Sequence, residues 1–150
     1  MTADTPGWER SGVTAKQVDW KEHGAHLLEI RSAVFADDPA WAAEAGPDQR
    51  DREALHVLAR VDDEPVGTGR LLLPEGRITR LAVLGDSRGQ GIGSMIMEEL
   101  MELARRQGLH EIYLHTPCDK TRFYARHGFT LRGPVFTERG EPHCRMVRTL

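Results

Sequence analysis

The stretch RGQGIGSMIMEEL, Arg88 to Leu100, sets Gly89, Gly91 and Gly93 immediately ahead of a run with helical spacing. Glycine loses more freedom on ordering than any other residue, so this concentration needs a reason. From Ile92 onward Met95, Ile96, Leu100, Leu103 and Ala104 form one apolar stripe, which predicts a helix ending at Gly108. Glu98, Glu99 and Glu102 lie early in it and Arg105 and Arg106 late, as the helix dipole favours. The preceding ITRLAVL, Ile78–Leu84, reads as a strand whose apolar parity slips: Ile78 lies on one face, Leu81 and Val83 on the other. A bulge near Arg80 reconciles the two faces. Strand, glycine turn and helix N-terminus together make an anion site, because unpaired N–H groups and the positive dipole end converge there.

The residues narrow the choice of anion. A nucleotide P-loop needs Gly-Lys-Ser/Thr, whereas Ile92, Gly93 and Ser94 follow Gly91 with no lysine. A dinucleotide fingerprint counted from Gly89 meets Ser94 in its last place, and it belongs at the start of a parallel sheet. Here two hairpins come first. A plain strand-to-helix turn is the bland alternative.

Upstream, GVTAKQV (12–18) reads as a strand and WKEHGAHLLEIRSAVFA (20–36) as a helix carrying Leu27, Leu28, Ile30, Val34 and Phe35. Residues 37–52, rich in Asp, Pro and Gly, read as a loop or broken helix and as the most mobile segment. In ALHVLARV (54–61), Leu55, Val57, Ala59 and Val61 alternate with His56, Leu58 and Arg60, which predicts a half-buried strand with His56 on the other face. Turns at DDEP and PEGR make two successive hairpins. Downstream, HEIYLHT (110–116) is a strand, CDKTRFYARHG (118–128) a short helix closed by Gly128, and FTLRGPVF (129–136) and HCRMVRTL (143–150) a closing pair of strands. Hairpins followed by a strand-helix-strand crossover predict a mixed α/β sheet.

The 150 residues fit one domain, 1–150, with a core that needs no disulfide or metal. An apolar fraction of 39% and a charged fraction of 29% argue against disorder and membrane insertion. A net charge of -3 offers nucleic acid no electrostatic footprint. MTADTPGWERSG shows no basic start before an apolar run, so a cytoplasmic location is expected, with Cys118 and Cys144 as free thiols. His115, Cys118, His143 and Cys144 make a poor zinc set, since adjacent strand residues point to opposite faces. No metal is expected.

The pattern R-x-x-G-x-G, here Arg88, Gly91 and Gly93, resembles the GNAT superfamily of acetyl-CoA-dependent N-acetyltransferases. RITRLAVLGDSRGQGIGSMIMEELMELARRQG is similar to its strand-loop-helix motif for CoA, and RFYARHGF to its later motif with a tyrosine before a glycine and an aromatic. ALHVLA, LLLPEGRITRLAV, FYARHGF and VFTERGEPHCRM together resemble the ElaA-like subgroup. The resemblance implies an α/β fold with a mixed, mostly antiparallel sheet flanked by helices and a splayed, bulged strand before the glycine loop. It also implies direct acetyl transfer to a primary amine.

Implied roles follow residue by residue. N–H groups from Gly89, Gln90, Gly91, Ile92, Gly93 and Ser94 hold the CoA pyrophosphate, with Arg88 adding charge. Leu81, Ala82 and Val83 run beside the pantetheine arm, and the Val83 N–H polarises the thioester carbonyl. Tyr124 is the implied acid for the CoA sulfur. Its plain alternative is a core aromatic. Many relatives place an asparagine seven residues before that tyrosine; Pro117 stands there here, and Lys120 is a possible substitute contact. His56, His115, and His143 with Glu138 are the candidates to take the amine's proton, each with a structural alternative. Asp37, Asp38, Glu44, Asp48, Asp51 and Glu53 could attract a cationic amine, or simply form a solvated acidic loop. The rival functions are a non-catalytic acyl-CoA sensor and a protein lysine or N-terminal acetyltransferase. A homodimer is compatible with the family.

Overall fold

The structure is a computed structural model and describes residues 8–10 and 12–150. Among the described residues eight strands form one sheet: β1 (Trp8–Arg10), β2 (Val13–Val18), β3 (Leu55–Val61), β4 (Glu64–Leu72), β5 (Arg77–Val83), β6 (Glu111–Pro117), β7 (Thr130–Glu138) and β8 (Glu141–Thr149). Their order across the sheet is β1-β2-β3-β4-β5-β6-β8-β7. Every neighbouring pair is antiparallel except β5 and β6, which are parallel and meet only where Arg77 faces Tyr113. Past that point the two strands run on unpaired, and the sheet splays open. The sequence reading of a mixed, mostly antiparallel sheet holds, with β1 as a strand it did not anticipate.

Helix α1 (Trp20–Phe35) starts at Asp19, whose carboxylate accepts the Lys21 N–H. It covers one face of the sheet, where Leu27 and Ile30 pack with Leu58 and Ala82. Helix α2 (Ile92–Arg106) covers the other, packing Ile92, Ile96, Leu100 and Leu103 with Val57, Ala59, Leu71, Ile78 and Ile112. Its stripe is as expected, and Gly108, at φ 76°, follows its C-terminus. Glu99, however, is buried against the sheet side rather than dressing the dipole, and burial raises its pKa.

Two expectations need correction. β3 is not half-buried: His56, Val57, Leu58 and Ala59 are all buried, because α1 covers the face on which His56 lies. CDKTRFYARHG is not one helix either; a 3-10 turn (Cys118–Lys120) precedes the six-residue α3 (Thr121–Arg126). Residues 37–53 are turns with one 3-10 segment, Ala42–Glu44. The bulge stands where parity placed it: Arg80 has φ 58°, and the β4–β5 register shifts between Thr68 and Arg70. It returns Leu81 and Val83 to the face of Ile78. Among the described residues no helix is long and apolar enough to cross a membrane.

Candidate active site

The glycine loop builds one side of the site. Gly91 caps α2 at φ 78° with no side-chain cap, so the first-turn N–H groups have no partner within the helix. They open onto a cleft of about 520 Å3 lined by Val83, Arg88, Gly89 and Gly91–Ser94, with Phe123 and Arg126 of α3 opposite. Arg88 Nε donates to the Val83 carbonyl at 3.0 Å, drawing that side chain across the cleft. Leu84 N–H donates to the Val66 carbonyl at 2.8 Å while Val83 stands opposite Gly67. Val83 and Gly67 are therefore a non-hydrogen-bonded pair, and the Val83 N–H points away from β4, toward the splay. Backbone donors, a guanidinium and a helix N-terminus suit an anionic, phosphate-bearing group.

A second cavity, of about 450 Å3, opens between β5 and β6 where they part, and Leu81 and Val34 line both spaces. Tyr124 projects into this cavity from α3, edge-on to Phe123 at 5.1 Å. Burial pushes its pKa up to about 12, so the phenol keeps its proton. On the facing wall His115 Nδ1 lies 3.3 Å from Glu138 Oε1 and 3.2 Å from Arg77 Nη2. Burial first, then Arg77, lowers the His115 pKa against the opposing pull of Glu138. Burial works to raise the Glu138 pKa, but His115, Arg139 and His143 outweigh it and hold it low. His143 is fully buried, with Nδ1–H donating to the Glu141 carbonyl at 3.0 Å and Nε2 3.7 Å from Glu138 Oε2.

The fold thus gathers His115, Glu138 and His143, from β6, β7 and β8, into one cluster. Tyr124 and Lys120 line the same cavity, whereas Leu81, Ala82, Val83, Arg88, Gly89, Gly91, Ile92, Gly93 and Ser94 line the glycine-loop cleft. Gln90 lines neither space. His56 is elsewhere: its Nε2 pairs with the Asp51 carbonyl at 2.8 Å, its ring stacks on Trp20, and burial lowers its pKa. Cys118 lies beside Cys144, whose hydrogen bond pushes the Cys118 thiol up to about 11.

The solvated acidic loop holds for Asp37, Asp38 and Glu53, which are exposed, and is corrected for the other three. Glu44 pairs with Arg80 and Arg139, Asp48 with Arg70 and Arg80, and Asp51 with Arg31 and Arg70. Arginine ion pairs pin this segment beside the cavity. Sequence reasoning passed over Arg77, Arg80, Arg139 and Trp41, although the bulge signal stood on Arg80 itself. Backbone parity says where a strand bends, but not that the side chain at the bend turns inward to meet carboxylates.

Residues 16–129 match the model of the acetyltransferase (GNAT) family. The chain is 30% identical over 122 residues to the uncharacterized N-acetyltransferase YjcF of Bacillus subtilis strain 168, covering 79% of this chain and 87% of that protein. Its fold matches that of an acyl-CoA N-acyltransferase from Pseudomonas aeruginosa with a TM-score of 0.76 at 26% identity, over 91% of this chain and 99% of that one. Escherichia coli ElaA shares the fold at 24% identity with a TM-score of 0.72, over 89% of this chain and 98% of its own. With a splayed sheet, an uncapped glycine-loop helix and this extent of match, the chain belongs to the acetyltransferase (GNAT) family and is an N-acetyltransferase.

Proposed function

We propose that the protein transfers an acetyl group from acetyl-CoA directly to a primary amine, on the splayed edge of β5. The observation that carries this reading is the junction of two spaces at Leu81: an anion-suited cleft at the glycine loop and a cavity holding Tyr124, His115 and Glu138. Acetyl-CoA fits the first on the chemistry of its lining. Loop and helix N–H groups with Arg88 take the pyrophosphate, and the Val83 N–H, turned from β4, is free to approach the thioester oxygen. The ElaA-like subgroup is supported by the four fragments named above, and a cytoplasmic setting by two free thiols.

The reaction needs a neutral amine, yet a lysine-like ammonium has a pKa near ~10.4. Arg77 can only donate and Glu138 only accept at the same His115 Nδ1, so the two compete for it; in the tautomer whose Nδ1–H donates to Glu138, Nε2 keeps the lone pair that takes the amine's proton. The amine nitrogen bonds to the acyl carbon, the carbon–sulfur bond breaks, and the sulfur leaves as thiolate. Tyr124 is a weaker acid than a thiol of pKa ~8.5, so its main work is to donate a hydrogen bond to that thiolate. A thiol at about 11 makes Cys118 a poor nucleophile, which favours direct transfer over a covalent intermediate.

Calorimetric titration with acetyl-CoA beside NAD and ATP tests the cleft. Binding of acetyl-CoA alone is expected, and its absence would overturn the reading. A thiol-release assay across small amines and peptides then finds the acceptor; tight binding without turnover on any of them selects the sensor. Tyr124→Phe is expected to lower turnover at least tenfold, with acetyl-CoA affinity nearly unchanged. Equal turnover would remove Tyr124 from the chemistry.

A further inference from the structure

Outside the cavity, one buried histidine ties two elements of the glycine-loop cleft together. His127 caps the C-terminus of α3, is 8% exposed, and uses both ring nitrogens on α2: Nδ1 lies 3.1 Å from Glu98 Oε1 and Nε2 3.1 Å from Ser94 Oγ. Ser94 stands three residues past the Gly91 cap, in the first turn of α2, and lines the cleft. Three groups set the charge around the ring. Glu98 faces it from α2, the Arg148 guanidinium of β8 donates to the His127 carbonyl, and Arg126 of α3 lies next to it in sequence and lines the cleft. Phe123 packs against it at 5.1 Å.

The hydrogen-bond direction at Ser94 depends on the protons of that ring. The Glu98 carboxylate can only accept, so Nδ1 carries a hydrogen. If the ring is neutral, Nε2 is an acceptor and takes the Ser94 O–H, which turns the hydroxyl's lone pairs toward the cleft. If the ring is cationic, Nε2–H donates to Ser94 Oγ and frees the hydroxyl proton for an anion in the cleft. A phosphate is a pure acceptor and favours the second arrangement.

We propose that His127 is a positioning residue for donor binding: a phosphate entering the glycine-loop cleft draws a proton onto His127, which turns the Ser94 hydroxyl into a donor. This inference rests on the acetyl-CoA reading of the cleft and adds the group that couples it to solvent protons. The new proton comes from water and sits on Nε2; no covalent bond changes.

The test is calorimetry with acetyl-CoA near pH 7.5 in buffers of different ionisation enthalpy, which counts protons taken up per donor bound. The unaltered protein is expected to take up more protons than His127→Gln, and His127→Gln and Ser94→Ala each to weaken binding about tenfold. The double variant should bind no worse than either single one, because both remove the same link. Glu98→Gln, at an exposed carboxylate, should also reduce uptake, so the proposal is read even if a His127 variant folds poorly. Equal uptake in all proteins, or additive losses in the double variant, overturns the role of His127 alone. No binding by the unaltered protein overturns the donor reading and this inference together.

Discussion

The charge state of His115, the proposed base, is set by a contest between neighbours. Burial and the Arg77 guanidinium disfavour its cation, while Glu138 favours it, and the first two prevail. A base active in its neutral form gives a rate that rises with pH through its pKa, so the acid limb of kcat/KM is expected below the ordinary histidine value of about 6.5. The neighbours should move that limb in opposite directions. Arg77→Gln removes a repelling charge, raises the His115 pKa and shifts the limb to higher pH; Glu138→Gln removes an attracting one and shifts it lower. A limb that stays in place in both variants would exclude His115 as the base. The sequence offered His115 as one option and His143 with Glu138 as another, with nothing to join the two. His115 and Glu138 are 23 residues apart and meet because β8 pairs with both β6 and β7, a contact that no spacing rule encodes. The resemblance reached Tyr124 and the glycine loop as candidates because each lies in a contiguous motif whose neighbours in sequence are also its neighbours in space.

At the scale of elements, α2 lies close enough to the sheet that β4 must present glycine beneath it. A Cβ on Gly69 would stand 2.8 Å from both Ile96 Cγ2 and Leu100 Cδ1. Ile96 and Leu100 are fully buried core residues with little room to yield. Gly69→Ala is therefore expected to destabilise the fold by about 1–3 kcal/mol, measured by urea unfolding. Because α2 also carries the glycine loop, the variant should bind acetyl-CoA less tightly as well. Unchanged stability would mean that the helix can move outward freely. Parity located the bulge in β5 because one slipped residue reverses every later side chain. The same reasoning missed the burial of β3, since a strand covered on both faces is told from a half-covered one only by what packs on it, and α1 is distant in sequence.

For the whole molecule, the segment between α1 and β3 is tied to the sheet by a network of arginine–carboxylate pairs. Arg31, Arg70 and Asp51 are all at most 3% exposed, and Asp51 receives Arg31 through two hydrogen bonds of 3.1 Å and Arg70 through one of 2.9 Å. Through Asp48 and Glu44 the same network reaches Arg80 at the bulge and Arg139 beside Glu138, so it spans from α1 to the cavity wall. Burial alone would raise the Asp51 pKa, but the arginines and the Asp48 N–H outweigh it and the net shift is downward. A carboxylate with a depressed folded pKa contributes stability that is fully present above its unfolded value, near 3.8, and is lost as the pH falls through the lower folded one. Asp51→Ala leaves two buried guanidinium groups without this partner, which costs about 3–5 kcal/mol at neutral pH, a large part of a typical domain's stability. Urea unfolding across pH should show the gap between the two proteins constant from neutrality down to about pH 4 and narrowing below it, as the unaltered carboxylate takes up its proton. If Asp51→Ala instead unfolds within a few tenths of a kcal/mol of the unaltered protein, the network does not hold this segment, and the cavity wall formed by Trp41 and Glu44 must be held by packing alone.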